Sequence, residues 1–373
     1  MITEIVEKGV YFIFSPVKKC SHISICIAEG LKKLGIPIFS NMDCWLIDLK
    51  NQEYLFKNNR QLHPNNCAIV VADIYFIEMT NNHPLFDLFC ELNEEVILVI
   101  IYPNDSDHVL TGRTERLTAV IRVHMHKFRK YPSQYIPWAF GISERIRIAT
   151  ENSKLFSERK RQVLAVFRSS LSQSVRVAMN FCFISHLQDK IDINQNPITE
   201  IGNNVSLNDF DYLYWSQFPT HHIPKWFDSL KNSMFCCAYG GNFYYADLDE
   251  KLLENSNLGQ KPAIARWDSW RFWESLASGC VSIHLDFDKY GFLLPIKPVN
   301  WKHYVGIDLA NPQEAAQRII DEPELMAQIG LEGQRWALEN YGSVPVACRF
   351  LDIVLGEEFG TIENLIDAVE DIS

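Results

Sequence analysis

Two successive series of short, mostly apolar runs, separated by helical patterns, constrain the fold of this chain more than any other feature. The first series opens with an apolar run at residues 10–14, a loop, and an amphipathic stretch at 23–34 that ends at Gly35 before the next run at 36–39. A strand, a loop, a helix and a second strand in this order form a βαβ unit. Runs that are apolar at every position are typical of parallel strands covered by helices on both faces. The sequence therefore predicts an α/β fold.

Further apolar runs at residues 68–76, 95–102 and 120–123 extend this series. Residues 135–142 contain a proline and a glycine and are interpreted as a connection, and the charged segment 144–161 is predicted to form a helix at the joint. The chain has 373 residues, which is long for one core. Two domains of ordinary size are therefore expected.

The same alternation starts again at residues 163–167, where an apolar run leads to a helix predicted from Ser174. Later strands are expected at 234–238 and 281–285, with a helix from Trp270 between them. The rest of the chain has helical patterns at 312–320, 322–340 and 344–355.

We therefore predict two Rossmann-like domains that face each other across a cleft, with C-terminal helices. The N-terminal domain is expected to cover residues 1–143 and the C-terminal domain residues 144–343. A helical segment follows at 344–373, for which packing back on the N-terminal domain is one option.

The net charge of −11 argues against a nucleic-acid partner, because phosphate backbones are held by clustered Lys and Arg. An anionic ligand would need a local basic pocket. The first ten residues carry Glu4, Glu7 and Lys8 and do not resemble a signal peptide. The longest apolar runs, such as 96–102, are too short to span a bilayer. A cytoplasmic protein with no integral membrane segment is expected.

The most informative stretch for function is residues 266–283, which is predicted to form a helix, a tight turn and a strand. Arg271 and Glu274 are three residues apart and share a helix face, and Gly279 permits the sharp turn. A carboxylate can accept hydrogen bonds from ribose hydroxyls, while arginines and a helix N-terminus can face a diphosphate. The alternative is a Glu–Arg pair on a solvated helix face.

The pattern Ser269-x-Arg271-x-x-Glu274-x4-Gly279-Cys280-Val281 resembles the C-terminal signature of exostosin-like glycosyltransferases and related GT-B enzymes. Residues 230–241 resemble the strand and glycine turn of that family, and 300–308 resemble the segment after its nucleotide site. The resemblance covers about 230–308. It implies that a nucleotide sugar binds to the C-terminal domain and the acceptor to the N-terminal domain. Ser282 stands where the family usually has proline, and 244–262 do not align, so the donor sugar is left open.

A second phosphate site is suggested where the run at 163–167 ends in Arg168 and Ser169, with Arg176 in the following helix. Such a turn presents free N–H groups to an anion, and in GT-B enzymes a loop at this place clamps the diphosphate. A capped helix with surface arginines is the alternative. The residues predicted to bind the donor are Arg168, Ser169, Arg176, Tyr239, Gly240, Arg266, Ser269, Arg271 and Glu274.

An inverting transfer needs a base that takes the proton of the acceptor hydroxyl. We select His22, which follows the first strand at the mouth of the expected cleft. Asp105, Asp107, His124 and His126 are the other candidates. The alternative for His22 is a histidine on the surface or in the first turn of the helix.

The sequence thus predicts a glycosyltransferase that is metal-independent and inverting, with no cofactor beyond the nucleotide-sugar co-substrate. The acceptor is expected to be a glycan, a lipid-linked group or a small molecule. Two alternatives stay open. One is a metal-dependent GT-A transferase that uses Asp105 and Asp107. The other is a non-catalytic protein that binds a nucleotide or a sugar.

Overall fold

A computed structural model describes residues 2–15, 20–73, 91–103, 116–167, 173–195, 223–244 and 263–356. The first half of the chain contains α1 (Ile2–Lys8), β1 (Val10–Ile13), α2 (His22–Lys33), β2 (Ile38–Ser40), β3 (Cys44–Asp48), β4 (Glu53–Phe56), β5 (Ile69–Asp73), β6 (Ile97–Tyr102), β7 (Ala119–Arg122) and β8 (Tyr135–Pro137).

The first half is built on a six-stranded parallel sheet in the order β2-β1-β5-β6-β7-β8. Strands β3 and β4 form a separate antiparallel hairpin. Along β1, Val10 and Phe12 belong to one hydrophobic cluster, while Tyr11 and Ile13 belong to another. Successive side chains of a strand point to opposite faces, so both faces of this sheet are buried. This confirms the α/β prediction.

The second half contains α3 (Glu144–Thr150), β9 (Lys160–Leu164), α4 (Ser174–Cys182), β10 (Asp192–Asn194), α5 (Pro224–Asn232), β11 (Ser233–Cys237), β12 (Asn242–Tyr244), β13 (Ala263–Ala265), α6 (Trp270–Ala277), β14 (Val281–Leu285), β15 (Val305–Ile307), α7 (Pro312–Asp321), α8 (Pro323–Tyr341) and α9 (Ser343–Leu355). A five-stranded parallel sheet in the order β10-β9-β11-β14-β15 forms its centre.

Two sequence predictions at the joint were wrong. The helix expected over 144–161 ends at Thr150, and its last residues belong to β9. Lys160 and Arg161 are exposed at the start of β9, and within the strand only Val163 and Leu164 are buried. The first residues of β9 are therefore charged, like those on the exposed face of a helix, and were predicted as part of the helix. The connection expected over 135–142 begins with β8, which among the described strands pairs with β7 alone and so lies at the edge of the sheet. Proline has no backbone N–H to donate to a neighbouring strand. Pro137 is tolerated because one side of an edge strand has no neighbour that needs this hydrogen bond.

The chain passes between the two halves at two adjacent places. The Ile142 N–H donates to the Tyr341 carbonyl over 2.8 Å, and the Ser343 hydroxyl donates to the Glu144 carboxylate over 2.7 Å. Helix α9 then packs on α2 of the first half. The contact is so close that a Cβ added to Gly30 would lie 2.1 Å from the Ser343 carbonyl oxygen. The last helix is therefore part of the first half.

The capping residues at its two ends determine where helix α2 begins and ends. Ser21 is the N-cap, and its hydroxyl accepts from the Ser24 N–H over 3.3 Å. Gly35 follows the helix with φ 76° and turns the chain toward β2. The helix thus begins with His22 at the carboxyl end of β1. None of the helices in the described part of the chain combines the length and apolar character needed to cross a membrane.

Candidate active site

The carboxyl ends of the two sheets meet, and residues after β7 contact residues around α6 and after β14. The Lys127 N–H donates to the Gly291 carbonyl over 2.9 Å, and the Leu293 N–H donates to the Met125 carbonyl over 3.0 Å. In α/β folds, ligands bind outside the carboxyl ends of parallel strands. The junction between the two sheets is therefore the candidate ligand-binding site.

Glu274 lies inside this region, on α6, and is 2% exposed. Its Oε2 accepts a hydrogen bond from Trp226 Nε1 over 2.8 Å. Burial raises the pKa of Glu274 to about 7, although the Trp226 hydrogen bond and the charge of Arg271 act in the opposite direction. The alternative of a solvated Glu–Arg pair is wrong for Glu274, since its side chain is enclosed.

Arg271 lies one turn before Glu274, with its guanidinium 5.7 Å from the centre of the Trp226 ring. Its side chain is half-buried. Ser269 is the residue before α6 and is buried, but its hydroxyl makes no capping hydrogen bond. The start of α6 thus brings together three of the predicted donor-binding residues.

The glycine turn after β11 brings together another part of the predicted set. Arg176 Nε donates to the Tyr239 carbonyl over 3.5 Å. A Cβ on Gly240 would lie 3.1 Å from the Arg266 carbonyl oxygen and 3.9 Å from Arg176 Nη2. Gly241 has φ 103°, a conformation that other residues rarely adopt. The turn therefore brings Arg176 close to the main chain of Gly240 and Arg266, and close packing of main chain requires the two glycines.

Arg168 and Ser169 lie outside the described residues. Phe167 immediately precedes them, and its ring lies 5.4 Å from the Arg176 guanidinium. Phe167, three residues after β9, therefore lies close to the same glycine turn, and the role of Arg168 and Ser169 stays a prediction.

His22 is the first residue of α2 and is buried at the junction of the two halves. Its Nδ1 lies 3.0 Å from the Phe140 carbonyl oxygen, and its ring centre lies 4.2 Å from that of Trp270, the first residue of α6. Burial lowers the pKa of His22 to about 3, against the opposing effect of the Phe140 hydrogen bond. The imidazole is therefore neutral at physiological pH. It is in the first turn of the helix, but it is not a surface residue.

Asp268 connects the two halves and has no counterpart among the predicted site residues. Its Oδ2 accepts from the Phe140 N–H over 3.1 Å, and its own N–H donates to His124 Nδ1 over 3.1 Å. Its Oδ1 accepts from Trp273 Nε1 over 2.8 Å. Burial raises the pKa of Asp268 above its usual value. Its place directly before the Ser269 motif was the only sequence signal that could have drawn attention to it.

Four further residues were candidates for the base. His124 and His126 lie at this junction, where His124 Nδ1 accepts a hydrogen bond from the Asp268 N–H. His126 is buried too, and burial lowers its pKa to about 4. Asp105 and Asp107 lie outside the described residues. Within the described ranges, no three or more His, Cys, Asp or Glu side chains are grouped so that they could hold a metal ion.

Two Rossmann-like halves whose sheets meet at their carboxyl ends define the GT-B architecture, and this protein has that fold. The single-sheet GT-A alternative is wrong, because the second sheet is a complete parallel sheet in its own right.

Comparison with solved structures agrees with this assignment of the fold. An α-glucosyltransferase in complex with UDP matches with a TM-score of 0.53 at 10% identity, over 93% of this chain and 99% of that chain. An α-glucosyltransferase in complex with UDP-glucose and DNA containing an abasic site matches with a TM-score of 0.52 at 11% identity, over 93% and 98% of the two chains. A glycosyltransferase from Rickettsia africae ESF-5 matches with a TM-score of 0.50 at 12% identity, over 93% and 97%. No protein-family model and no curated protein matches the sequence.

Proposed function

We propose that this protein is a glycosyltransferase that moves a sugar from a nucleotide-sugar donor to an acceptor hydroxyl. The observation that carries the proposal is the position of Glu274, a buried carboxylate on the helix that begins at the carboxyl end of the second sheet. Arg271 lies on the same helix, and the Arg176–Gly240–Arg266 turn lies at the end of β11. A carboxylate for ribose and arginines for a diphosphate are the groups that a nucleotide sugar requires.

In this proposal Glu274 accepts hydrogen bonds from the ribose hydroxyls, and Ser269 lies beside it at the start of α6. Arg271, Arg176, Arg266 and Arg168 neutralise the diphosphate, and Ser169 donates a hydrogen bond to it. The backbone at Tyr239 and Gly240, which lies beside Arg176, is proposed to lie close to the phosphates. The exostosin-like subtype remains a prediction that rests on the motif between Ser269 and Val281.

The proposed transfer is inverting and independent of a metal ion. Arginines can supply the positive charge that stabilises the departing nucleoside diphosphate. His22 is the proposed base, and its contact with Trp270 places it beside the helix that carries Glu274. A base with a pKa of about 3 accepts a proton poorly. The proposal therefore requires that the bound substrates raise the pKa of His22, as the negative diphosphate would do.

The proposed acceptors are a glycan, a lipid-linked group or a small molecule. One similar enzyme was solved with DNA. We do not propose DNA as an acceptor for this chain, because its net charge of −11 opposes phosphate binding. Incubation with hydroxymethylated duplex DNA and UDP-glucose tests this choice, and transfer of glucose to the DNA would overturn it.

A panel of nucleotide sugars tests the proposal as a whole. UDP, GDP, CMP and dTDP sugars are screened by thermal shift, where a ligand at 100 times its dissociation constant stabilises by about 2.7 kcal/mol. The best ligand is then incubated without acceptor, and release of free sugar is measured. Stabilisation together with slow donor hydrolysis supports a transferase. Stabilisation with no hydrolysis or transfer favours the non-catalytic alternative, and the absence of any stabilisation contradicts both.

A further inference from the structure

A cavity of about 500 Å³ lies at the amino-terminal end of the second sheet. It is lined by Arg159, which directly precedes β9, and by Gly279, which lies two residues before β14. The proposed donor-binding turn follows β11 at the opposite end of the same parallel sheet. A strand of five residues spans roughly 17 Å at ~3.3 Å per residue. The cavity is therefore a separate place from the proposed active site.

The cavity is positively charged in a protein that is strongly negative. Its lining includes Arg147, Lys154 and Arg159 but only one carboxylate, that of Glu151. Arg147 is paired with Glu151 and Glu144, whereas Lys154 makes no ion pair with any residue of the described ranges. Two cationic charges thus remain for a ligand.

Arg159 is 7% exposed, and its guanidinium is incompletely satisfied. Its Nε donates to the Lys154 carbonyl over 3.0 Å and its Nη2 donates to the Ser278 carbonyl over 2.7 Å. Its Nη1 is buried and has no hydrogen-bond partner in the part of the chain that the structure describes. Burial lowers the pKa of Arg159. A buried cation without a countercharge is costly, and an anion in the cavity would offset that cost.

The other walls of the cavity are apolar. Leu155 and Leu331 line it and are 70% and 66% exposed. Phe156, Ala327 and Leu338 line it more deeply. The volume falls within the range of small-molecule pockets, about 300–1,000 Å³. The cavity therefore offers an apolar surface beside its cations.

We propose that this cavity binds an amphiphile whose phosphate monoester head pairs with Arg159 and Lys154 and whose apolar part contacts Leu155 and Leu331. The two cations favour a ligand with an anionic head, and the leucines favour a ligand with an apolar part. The inference does not depend on the proposed transferase function, because the two sites lie at opposite ends of the sheet.

Calorimetric titration of the full chain with hexyl phosphate tests the proposal, with inorganic phosphate and hexanol as partial ligands. Hexyl phosphate should bind at least tenfold more tightly than either one. Lys154→Ala should weaken it at least threefold, whereas Lys160→Ala should change it less than twofold. Lys160 is a matched control, since it is an exposed lysine nearby that does not line the cavity. Ala327→Phe, which fills the cavity, should weaken binding at least tenfold, and saturating UDP should leave it unchanged.

Several outcomes would overturn the proposal. These are no binding of hexyl phosphate, equal binding of inorganic phosphate or hexanol, displacement by UDP, and equal effects of Lys154→Ala and Lys160→Ala. If Ala327→Phe loses its folded circular dichroism spectrum, the comparison of the two lysine variants decides alone. Sedimentation with vesicles of phosphatidylcholine, with and without phosphatidic acid, then distinguishes the source of the ligand. Binding that requires phosphatidic acid and Lys154 indicates a lipid, and binding of hexyl phosphate alone indicates a soluble amphiphile.

Discussion

Replacing Glu274 with glutamine should stabilise the folded protein and weaken donor binding at the same time. Glutamine has the shape of the carboxylate and retains an oxygen that can accept from Trp226 Nε1. It removes the charge and replaces the other carboxylate oxygen with an amide NH2, which donates hydrogen bonds instead of accepting them. The two effects have opposite signs because burial disfavours the charge that the donor is proposed to use.

The effect on stability follows from the pKa of Glu274, which rises from 4.5 to about 7 on folding. A group whose pKa is raised by folding contributes stability below its unfolded pKa and loses that contribution as the pH rises through its folded pKa. At 1.36 kcal/mol per pKa unit, ionised Glu274 reduces the free energy of unfolding by about 3 kcal/mol at pH 8. At pH 5 the reduction is less than about 1 kcal/mol. Glu274→Gln should therefore be more stable than the wild type at pH 8 and nearly equal at pH 5.

The effect on binding has the opposite direction. A hydrogen bond to a charged group contributes about 1.5–3 kcal/mol, so the dissociation constant of UDP-glucose should rise roughly tenfold or more. Wild-type affinity should increase between pH 6 and pH 8 as Glu274 ionises, whereas the affinity of the variant should stay constant. UDP-glucose is a suitable probe because its diphosphate does not itself titrate in this range.

Urea unfolding at pH 5 and pH 8 measures the first effect, and calorimetry measures the second. Glu29→Gln is the control for binding. Glu29 is another buried carboxylate whose pKa burial raises to about 7, and it bonds to Trp45 and to the Glu144 N–H, outside the proposed site. Its variant should bind UDP-glucose like the wild type. Unchanged affinity in Glu274→Gln would refute the ribose assignment, and no gain in stability at pH 8 would refute the argument from burial.

Three further predictions concern the rest of the site. Arg271→Ala and Arg176→Ala should each raise the dissociation constant of the nucleoside diphosphate about tenfold, since each removes a charged hydrogen bond. Unchanged calorimetric affinities in both would place the basic pocket elsewhere, with Arg168 and Arg266 to be tested next. His22→Ala should retain donor affinity and lose about 10²–10⁴ in turnover, the usual contribution of a general base. Turnover within a few-fold of the wild type would shift the role to another group, such as His124. Transfer should also persist in EDTA, and its loss, with recovery on adding Mg²⁺ or Mn²⁺, would contradict a metal-independent reaction.

The elements that the sequence predicted well are those whose pattern is local. The strands β1 and β6 are apolar at every position, β14 is apolar at three of its five positions, and α6 is followed by Gly279, which has φ 69°. These signals depend on burial and on backbone conformation at single positions. The order of the elements, and with it the class of fold, could therefore be predicted from the sequence.

The hairpin of β3 and β4 and the short β15 were missed because their residues carry no comparable pattern. Trp45, within β3, has φ 61°, and the register of the hairpin shifts between Leu46 and Asp48. Such a strand does not show regular alternation. Its partner β4 begins only five residues after β3 ends, but without that alternation the residue pattern does not predict the pairing.

The candidate site could also be predicted only in part from the sequence. Glu274 and Arg271 stand in a recognisable motif. The burial of Glu274, however, depends on Trp226, which lies 48 positions away. His22 was selected for its place after β1, but its low pKa results from burial at the junction, where Trp270 from another segment packs against its ring. Residue types can be proposed from a motif, whereas protonation states depend on tertiary packing.

The return of the chain through α9 makes the second half an insertion within the first. Residues 142 and 341 are hydrogen-bonded neighbours, and everything between them enters and leaves at one place. A nascent chain emerges from the ribosome in order of sequence. The second half can thus acquire its core while α2 still lacks the helix that covers Gly30. The half that is synthesised first is therefore completed last, once residues 343–355 have left the ribosome.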